Sequence, residues 1–282
     1  MKRSNRAGIA QQTLEIIERG TYQAPDGALV DLRAELGRAI DGSRLYADEQ
    51  LEAIVREQLA TPGASPTRLE VTEETSVLAI RRLVVEQELD TLCLNFASAK
   101  NAGGGFLGGA EAQEESLARA SGLYGSLISQ RGYYDANRGS RSAFYTEHMI
   151  YSPGVPMFRD DSGALLSRPH LASFITAPAV NAGVVHEREP ERASEIAAVM
   201  RRRVARVLGL ALAFGHRALV LGAWGCGVFR NDPKLIAALF AEALETDFKD
   251  RFDHVVFAVF DRSQGQGCLR AFRERLAARG ES

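Results

Sequence analysis

The chain has 282 residues, 45% of them hydrophobic and 25% charged, and carries a formal net charge of -2 at pH 7. These values exclude disordered, fibrous and membrane-embedded classes and point to a folded globular protein, one main domain with an appendage. So small a net charge offers nucleic acid or an acidic membrane surface no bulk attraction, and any anionic ligand must be held by local features.

The first sixty residues read differently from the rest. In "NRAGIAQQTLEIIERG", Ala10, Leu14 and Ile17 share a helical face and Gly20 is a natural stop. "TYQAPDGALVDL" predicts a short hairpin turning at Asp26-Gly27, and "DEQLEAIVREQL" predicts a helix. "ATPGASPT", small residues and proline, reads as a linker, giving an accessory segment over 1–66 and a main domain over 67–282.

From Arg68 onward short apolar runs alternate with amphipathic stretches. "RLEVT" predicts a strand, "ETSVLAIRRLVVE" a helix, "TLCLNFA" a strand and "EAQEESLARASGLYGSLISQ" one helix. After a long irregular stretch, "ASFITAPAV", "RALVLGAW" and "HVVFAVF" predict strands, interleaved with helices over "ERASEIAAVMRRRVARVLGLALAFG", "DPKLIAALFAEALE" and "LRAFRERLAA". The class is α/β, with a mixed, largely parallel sheet covered by helices on both faces. Within the fifth helix the basic run "MRRRVARV" is expected to be a solvated face. Cys93, Cys226 and Cys268 are odd in number and widely spaced, which fits a reducing compartment, the cytoplasm. No run resembles a signal peptide's apolar core or approaches the ~20 apolar residues that span a bilayer.

In open α/β sheets ligands bind at the carboxyl ends of the strands. Two predicted loops there are rich in glycine, whose backbone can come close to a ligand and offer amides to phosphate oxygens. The first is "NAGGGFLGGAEAQEES", residues 101–116. Its Gly103-Gly104-Gly105-Phe106-Leu107-Gly108 matches G-x-G-x-x-G formally. However, "SAKNA" separates it from the strand, and no ribose-binding acidic residue follows at the right distance, Asp135 lying at the end of a long helix. The P-loop pattern is absent.

The second loop, "GAWGCGVFRNDPK", ends at Asp232 as helix N-cap and Pro233 as first helical residue, so Gly225, Cys226, Gly227 and Val228 would present amides. Cys226 has no histidine near it in sequence and reads as a small filler. Phe229 is a core anchor or a platform against a sugar. The histidines, His148, His170, His186, His216 and His254, show no metal spacing and read as structural or exposed; neither metal nor cofactor is expected. Glu114 and Glu115 fall in the first turn of the helix after the first loop. Adjacent helical residues diverge by about 100°, so the two should not face one ligand atom, and acidic residues at this point also complement the helix dipole.

Taken together, "GGGFLGGAEAQEES", the preceding "LNFASAKNAGGG" and the later "GAWGCGVFRNDP" resemble the ligand loops of poly(ADP-ribose) glycohydrolases of the short microbial branch, over most of Arg68 to Ala278. The resemblance implies a macrodomain fold that hydrolyses the ribose–ribose O-glycosidic bond of poly(ADP-ribose). It implies Glu115 as the catalytic glutamate, protonating the leaving oxygen and then activating water, with Glu114 positioning the terminal ribose. A general acid needs a raised pKa, whereas a helix start lowers one, so burial must outweigh the dipole. Asn101, Gly103, Gly104, Gly105 and Gln113 would contact the ribose side. Gly225, Cys226, Gly227, Val228 and Phe229 would cradle the diphosphate, and the adenine edge would lie near Thr72 to Glu74. Expected partners are poly(ADP-ribose), ADP-ribose and the ADP-ribosylated proteins carrying the polymer, with no membrane or direct nucleic-acid binding, and the chain is expected to be a monomer. The competing readings are an ADP-ribose-binding macrodomain without catalysis, a hydrolase of another ADP-ribosyl linkage and, more distantly, a nicotinamide-dependent oxidoreductase.

Overall fold

Strands buried on both faces form the centre of the molecule, and the computed structural model describes residues 1–276 of the chain. The first elements are α1 (Arg3–Arg19), β1 (Thr21–Gln23), β2 (Leu29–Asp31), α2 (Arg33–Gly42), β3 (Arg44–Tyr46) and α3 (Asp48–Leu59). Then come β4 (Arg68–Thr72), α4 (Ser76–Arg81), β5 (Thr91–Phe96), α5 (Gln113–Ala120), α6 (Leu123–Ser129), α7 (Arg131–Gly139) and β6 (Met149–Arg159). The remainder are β7 (Leu165–Ala177), α8 (Ala182–Arg188), α9 (Ile196–Ala213), β8 (Ala218–Leu221), α10 (Pro233–Glu245), β9 (His254–Ala258) and α11 (Gly267–Leu276). The predicted last helix ran to Ala278, and its final residues, like the end of the 67–282 domain, lie outside the described residues.

A seven-stranded sheet has the order β3-β6-β7-β5-β8-β9-β4. The run from β7 to β4 is parallel, while β6 is antiparallel to both β7 and β3. Alternation along β5 splits the core: Leu92 and Leu94 join the layer under α9, α10 and α11, whereas Cys93 joins the layer under α4, α5, α6 and α7. Helices therefore cover both faces, as read from the sequence, and the parallel strands end along one rim.

The N-terminal elements form as read: Gly20 caps α1 at φ 70°, and the β1–β2 hairpin turns through Gly27 at φ 85°. They are also knitted into the rest. β3 forms the sheet's edge beside β6, pairing Arg44 with Tyr151. The linker is pinned: Ala64 N–H donates to Asp250 O at 3.0 Å, and the Arg251 guanidinium donates to the carbonyls of Gln58 and Thr61.

Three expectations need correction. The stretch read as irregular contains α7, β6 and the first half of β7. The single helix over "EAQEESLARASGLYGSLISQ" is two, broken at Ser121, which bridges to Met157, and at Gly122, where a side chain would overlap Leu36. The basic run of α9 is only half solvated, because Arg203 and Arg206 are buried. Arg203 donates to the carbonyls of Pro178 (2.9 Å), Phe144 (2.6 Å) and Thr146 (3.2 Å), and Arg206 pairs with Glu147 and Asp48.

Candidate active site

Because β5 and β8 are parallel neighbours, their following loops, the two glycine-rich segments, emerge side by side at the rim. The first loop turns tightly, with Gly104 N–H donating to Asn101 O at 3.0 Å and Phe106 N–H to Gly103 O at 3.2 Å. Gly104 has φ 58°, and a Cβ there would overlap Glu115 Oε1 and lie 3.2 Å from Glu114 Oε2. Only glycine fits between the carboxyl groups. The Asn101 side chain stands exposed at the loop's start.

Glu115 folds back over the start of α5, whose N-cap, Ala112, has no capping side chain of its own. Its Oε2 accepts Ala112 N–H at 3.0 Å and its Oε1 accepts Gly105 N–H at 2.9 Å. Glu114 points the other way, under the loop, and is 3% exposed. Its Oε2 accepts Ser98 N–H at 2.7 Å, and its Oε1 accepts from Asn95 Nδ2 at 3.4 Å. Burial pushes the Glu114 carboxyl up to about 8, against the opposing pull of the Ser98 N–H. The helical divergence of the two glutamates thus holds for their directions, yet both carboxyl groups reach Gly104.

Gln113 fixes the helix to the sheet. Its Oε1 accepts Phe96 N–H at 2.9 Å, and its Nε2 donates to Leu94 O at 2.8 Å and Ser76 Oγ at 3.1 Å.

In the second loop Asp232 caps α10 through Lys234 N–H at 2.9 Å and Pro233 opens the helix, as read from the sequence. Asn231 Nδ2 holds the loop's base by donating to Val180 O at 2.7 Å and Gly225 O at 3.2 Å, and the indole of Trp224 is anchored to Ala177 O at 3.2 Å. Val228 is 84% exposed at the tip, and Phe229 lies 5.9 Å from Tyr145, centroid to centroid. Cys226 lies beside Cys268; the hydrogen bond between the thiols and burial both raise its pKa, the reverse of an activated nucleophile.

A cleft of about 850 Å³ opens beside these loops, within the size range of small-ligand sites. Its walls include Glu74 after β4, Phe96 at the end of β5, Cys226 and Gly227 after β8, and Phe260 and Asp261 after β9. Ala112 and Gln113, just before the paired glutamates in sequence, also line the cleft, as does Arg6 of α1. Glu74 is held by Arg82 (2.6 Å) and Thr72 Oγ1 (2.8 Å). Among the described residues no group of three or more potential metal ligands is found.

Residues 10–160 match the family model for the microbial-type PARG catalytic domain. A crystal structure of poly(ADP-ribose) glycohydrolase from Thermomonospora curvata is 47% identical over 96% of this chain and 99% of that one, with a TM-score of 0.93. The chain belongs to the microbial-type poly(ADP-ribose) glycohydrolase family. The Thermomonospora glycohydrolase bound to the inhibitor ADP-HPD is equally similar in identity (47%) and coverage (96% and 99%), with a TM-score of 0.90. The Deinococcus radiodurans glycohydrolase in complex with ADP-ribose is 50% identical over 87% of this chain and 98% of that one, with a TM-score of 0.83. No curated protein matches the chain.

In this glycohydrolase-family chain, sequence reasoning found the two glycine-rich loops but missed the β9–α11 loop with Phe260 and Asp261, and Phe96 at the end of β5. The signal was available, since "HVVFAVF" was read as a strand and its carboxyl end belongs to the same rim.

Proposed function

We propose that the chain hydrolyses the ribose–ribose O-glycosidic bonds of poly(ADP-ribose), with Glu115 as general acid and then base. The observation that carries this reading is the pair of carboxyl groups close to Gly104, at the start of the helix whose first residues border the cleft at Ala112 and Gln113. Adenosine lies in the cleft between Glu74 and Phe260, the diphosphate along the amides of Gly225 to Phe229, and the terminal ribose over Gly103 to Gly105 beside Asn101. Gln113 acts by holding α5 to the end of β5.

Glu115 donates a proton to the departing 2'-oxygen as the C1''–O bond breaks and positive charge develops on the ribose. Its carboxylate then takes a proton from the water that attacks C1'', which restores the acid and leaves a hydroxyl on the released ADP-ribose. Glu114, neutral at pH 7, offers the ribose both an O–H donor and an acceptor. Being uncharged, it adds no like-charge repulsion beside Glu115. The polymer's protein carriers remain outside the cleft. Three free thiols fit a reducing compartment, and we assign the reaction to the cytoplasm.

Incubating the chain and its Glu115→Gln variant with poly(ADP-ribose), and following mono- and oligo-ADP-ribose, tests the proposal. Loss of the general acid–base lowers turnover by about 10²–10⁴-fold. Near-normal turnover by the variant would remove Glu115 from the mechanism, and ADP-ribose binding without hydrolysis by the parent chain would leave a binding module.

A further inference from the structure

The amides that hold Glu115 belong to Gly105 and Ala112, so the carboxylate is only as well placed as the loop between them. That loop contains Gly105, Gly108 and Gly109, residues that surrender much conformational freedom on being ordered. Part of its order comes from outside the main domain, beside its own turn hydrogen bonds from Gly108 and Ala110 N–H to Gly105 O. Arg3 Nε donates to Gly108 O at 2.8 Å, and Arg6 Nε donates to Gly109 O at 2.8 Å. Arg119 of α5 completes the series, its guanidinium donating to Ala110 O at 2.5 Å. Three successive carbonyls are thus each held by an arginine, two of them from α1.

Other contacts register the helix on the loop. Arg6 pairs with Glu111 at 2.8 Å. Phe106 is fully buried in a small cluster with Ala10, Leu14, Ala118 and Tyr124. Gly109, at φ 73°, lies so close to the Arg3 carbonyl that a Cβ there would overlap it.

We propose that Arg3 and Arg6 are positioning residues for catalysis: through the carbonyls of Gly108 and Gly109 they fix the loop whose two end amides aim the Glu115 carboxylate. This rests on the reading of Glu115 as the acid–base. It gives α1 a role in the chemical step; Arg6 also lines the cleft, whereas Arg3 does not, so the two roles separate at Arg3.

The test compares the full chain with R3A/R6A, Glu115→Gln and, as a control, Arg19→Ala, an exposed residue of the last turn of α1. The measurements are kcat and KM on poly(ADP-ribose), calorimetric affinity for ADP-ribose, and thermal midpoint. Because misplacing a reacting group by ~1 Å can cost about 10²-fold, R3A/R6A is expected to lower kcat by about ten- to a hundredfold. Affinity for ADP-ribose is read on Arg3→Ala, which spares the cleft-lining Arg6, and stays within about twofold; Arg19→Ala matches the parent.

A kcat within about threefold of the parent, or a fall in kcat matched by equal losses of affinity and thermal midpoint, overturns the proposal. If the double variant does not fold, Arg3→Ala and Gly109→Ala replace it, the second disturbing the same contact from the loop side. Each must lower kcat by at least about fivefold at unchanged affinity, or the proposal falls. A fully active Glu115→Gln removes the reading of Glu115 itself, whereas an inactive Glu115→Gln beside a fully active R3A/R6A removes only the role of α1.

Discussion

Replacing Glu114 with glutamine should change how the stability of the protein depends on pH. Burial lifts the folded carboxyl to about 8 from its ordinary 4.5, so between those values the folded chain keeps a proton that the unfolded chain has released. Where the folded state binds more protons, stability falls as pH rises. The contribution of neutral Glu114 is therefore complete below pH 4.5 and gone above about pH 8. Each pH unit across this window is worth at most ~1.4 kcal/mol, on the order of 5 kcal/mol in all. Glutamine is neutral throughout and has no such slope. Its fit is also reasonable: Oε1 can accept the Ser98 N–H, and Asn95, whose Oδ1 has no partner, can turn its amide to accept from glutamine Nε2. Thermal midpoints of the parent and Glu114→Gln, measured from pH 5 to 8.5, should diverge in favour of the variant as pH rises. At roughly 2 °C per kcal/mol for a chain of this size, the divergence should reach about 5–8 °C. The ionisable neighbours, Glu115 on α5 and Tyr133 and Tyr134 on α7, are common to both proteins. A difference in midpoint that stays flat across the range would show that Glu114 ionises in the folded state like a solvated carboxyl, and would refute its neutral role beside the ribose.

Gly104→Ala should lower kcat on poly(ADP-ribose) by about 10²-fold while the protein stays folded, because the new methyl would overlap the Glu115 carboxylate; steady-state kinetics with a circular dichroism check measures it. Arg203→Met should destabilise the chain by about 3–5 kcal/mol in denaturant unfolding. The substitution leaves the carbonyls of Pro178, Phe144 and Thr146 without their buried donor.

The parallel strands and the helices above them were legible because each is a continuous apolar run or a strongly periodic stretch. β6 was not, since Pro153, Gly154 and Pro156 in "MIYSPGVPMFR" look like turn residues. The sheet accommodates Pro153 and Gly154 where the β6–β7 register shifts between Ser152 and Val155, so the ladder makes fewer demands on their backbone, while Pro156 pairs with Leu171. The break between α5 and α6 depends on Leu36 and Met157, distant residues that no local pattern announces. In the site, the glutamates and the glycines were readable because they are neighbours in sequence. That the neutral carboxyl is Glu114 depends on its burial against Asn95 and Ser98, and the carbonyl contacts of Arg3 and Arg6 span more than a hundred positions, so these lay beyond local reading.

The pairing of β4 with β9 also governs when the site can exist. Arg68 to Thr72 lie in register with His254 to Ala258, so the cleft wall proposed for adenosine joins segments 186 positions apart in the chain. A nascent chain still lacking β9 has β4 and β8 without their shared neighbour and presents two unsatisfied strand edges in place of a cleft. During synthesis the polymer-binding surface is therefore among the last features to assemble, and until then that region is better suited to pairing with another chain than to holding a nucleotide.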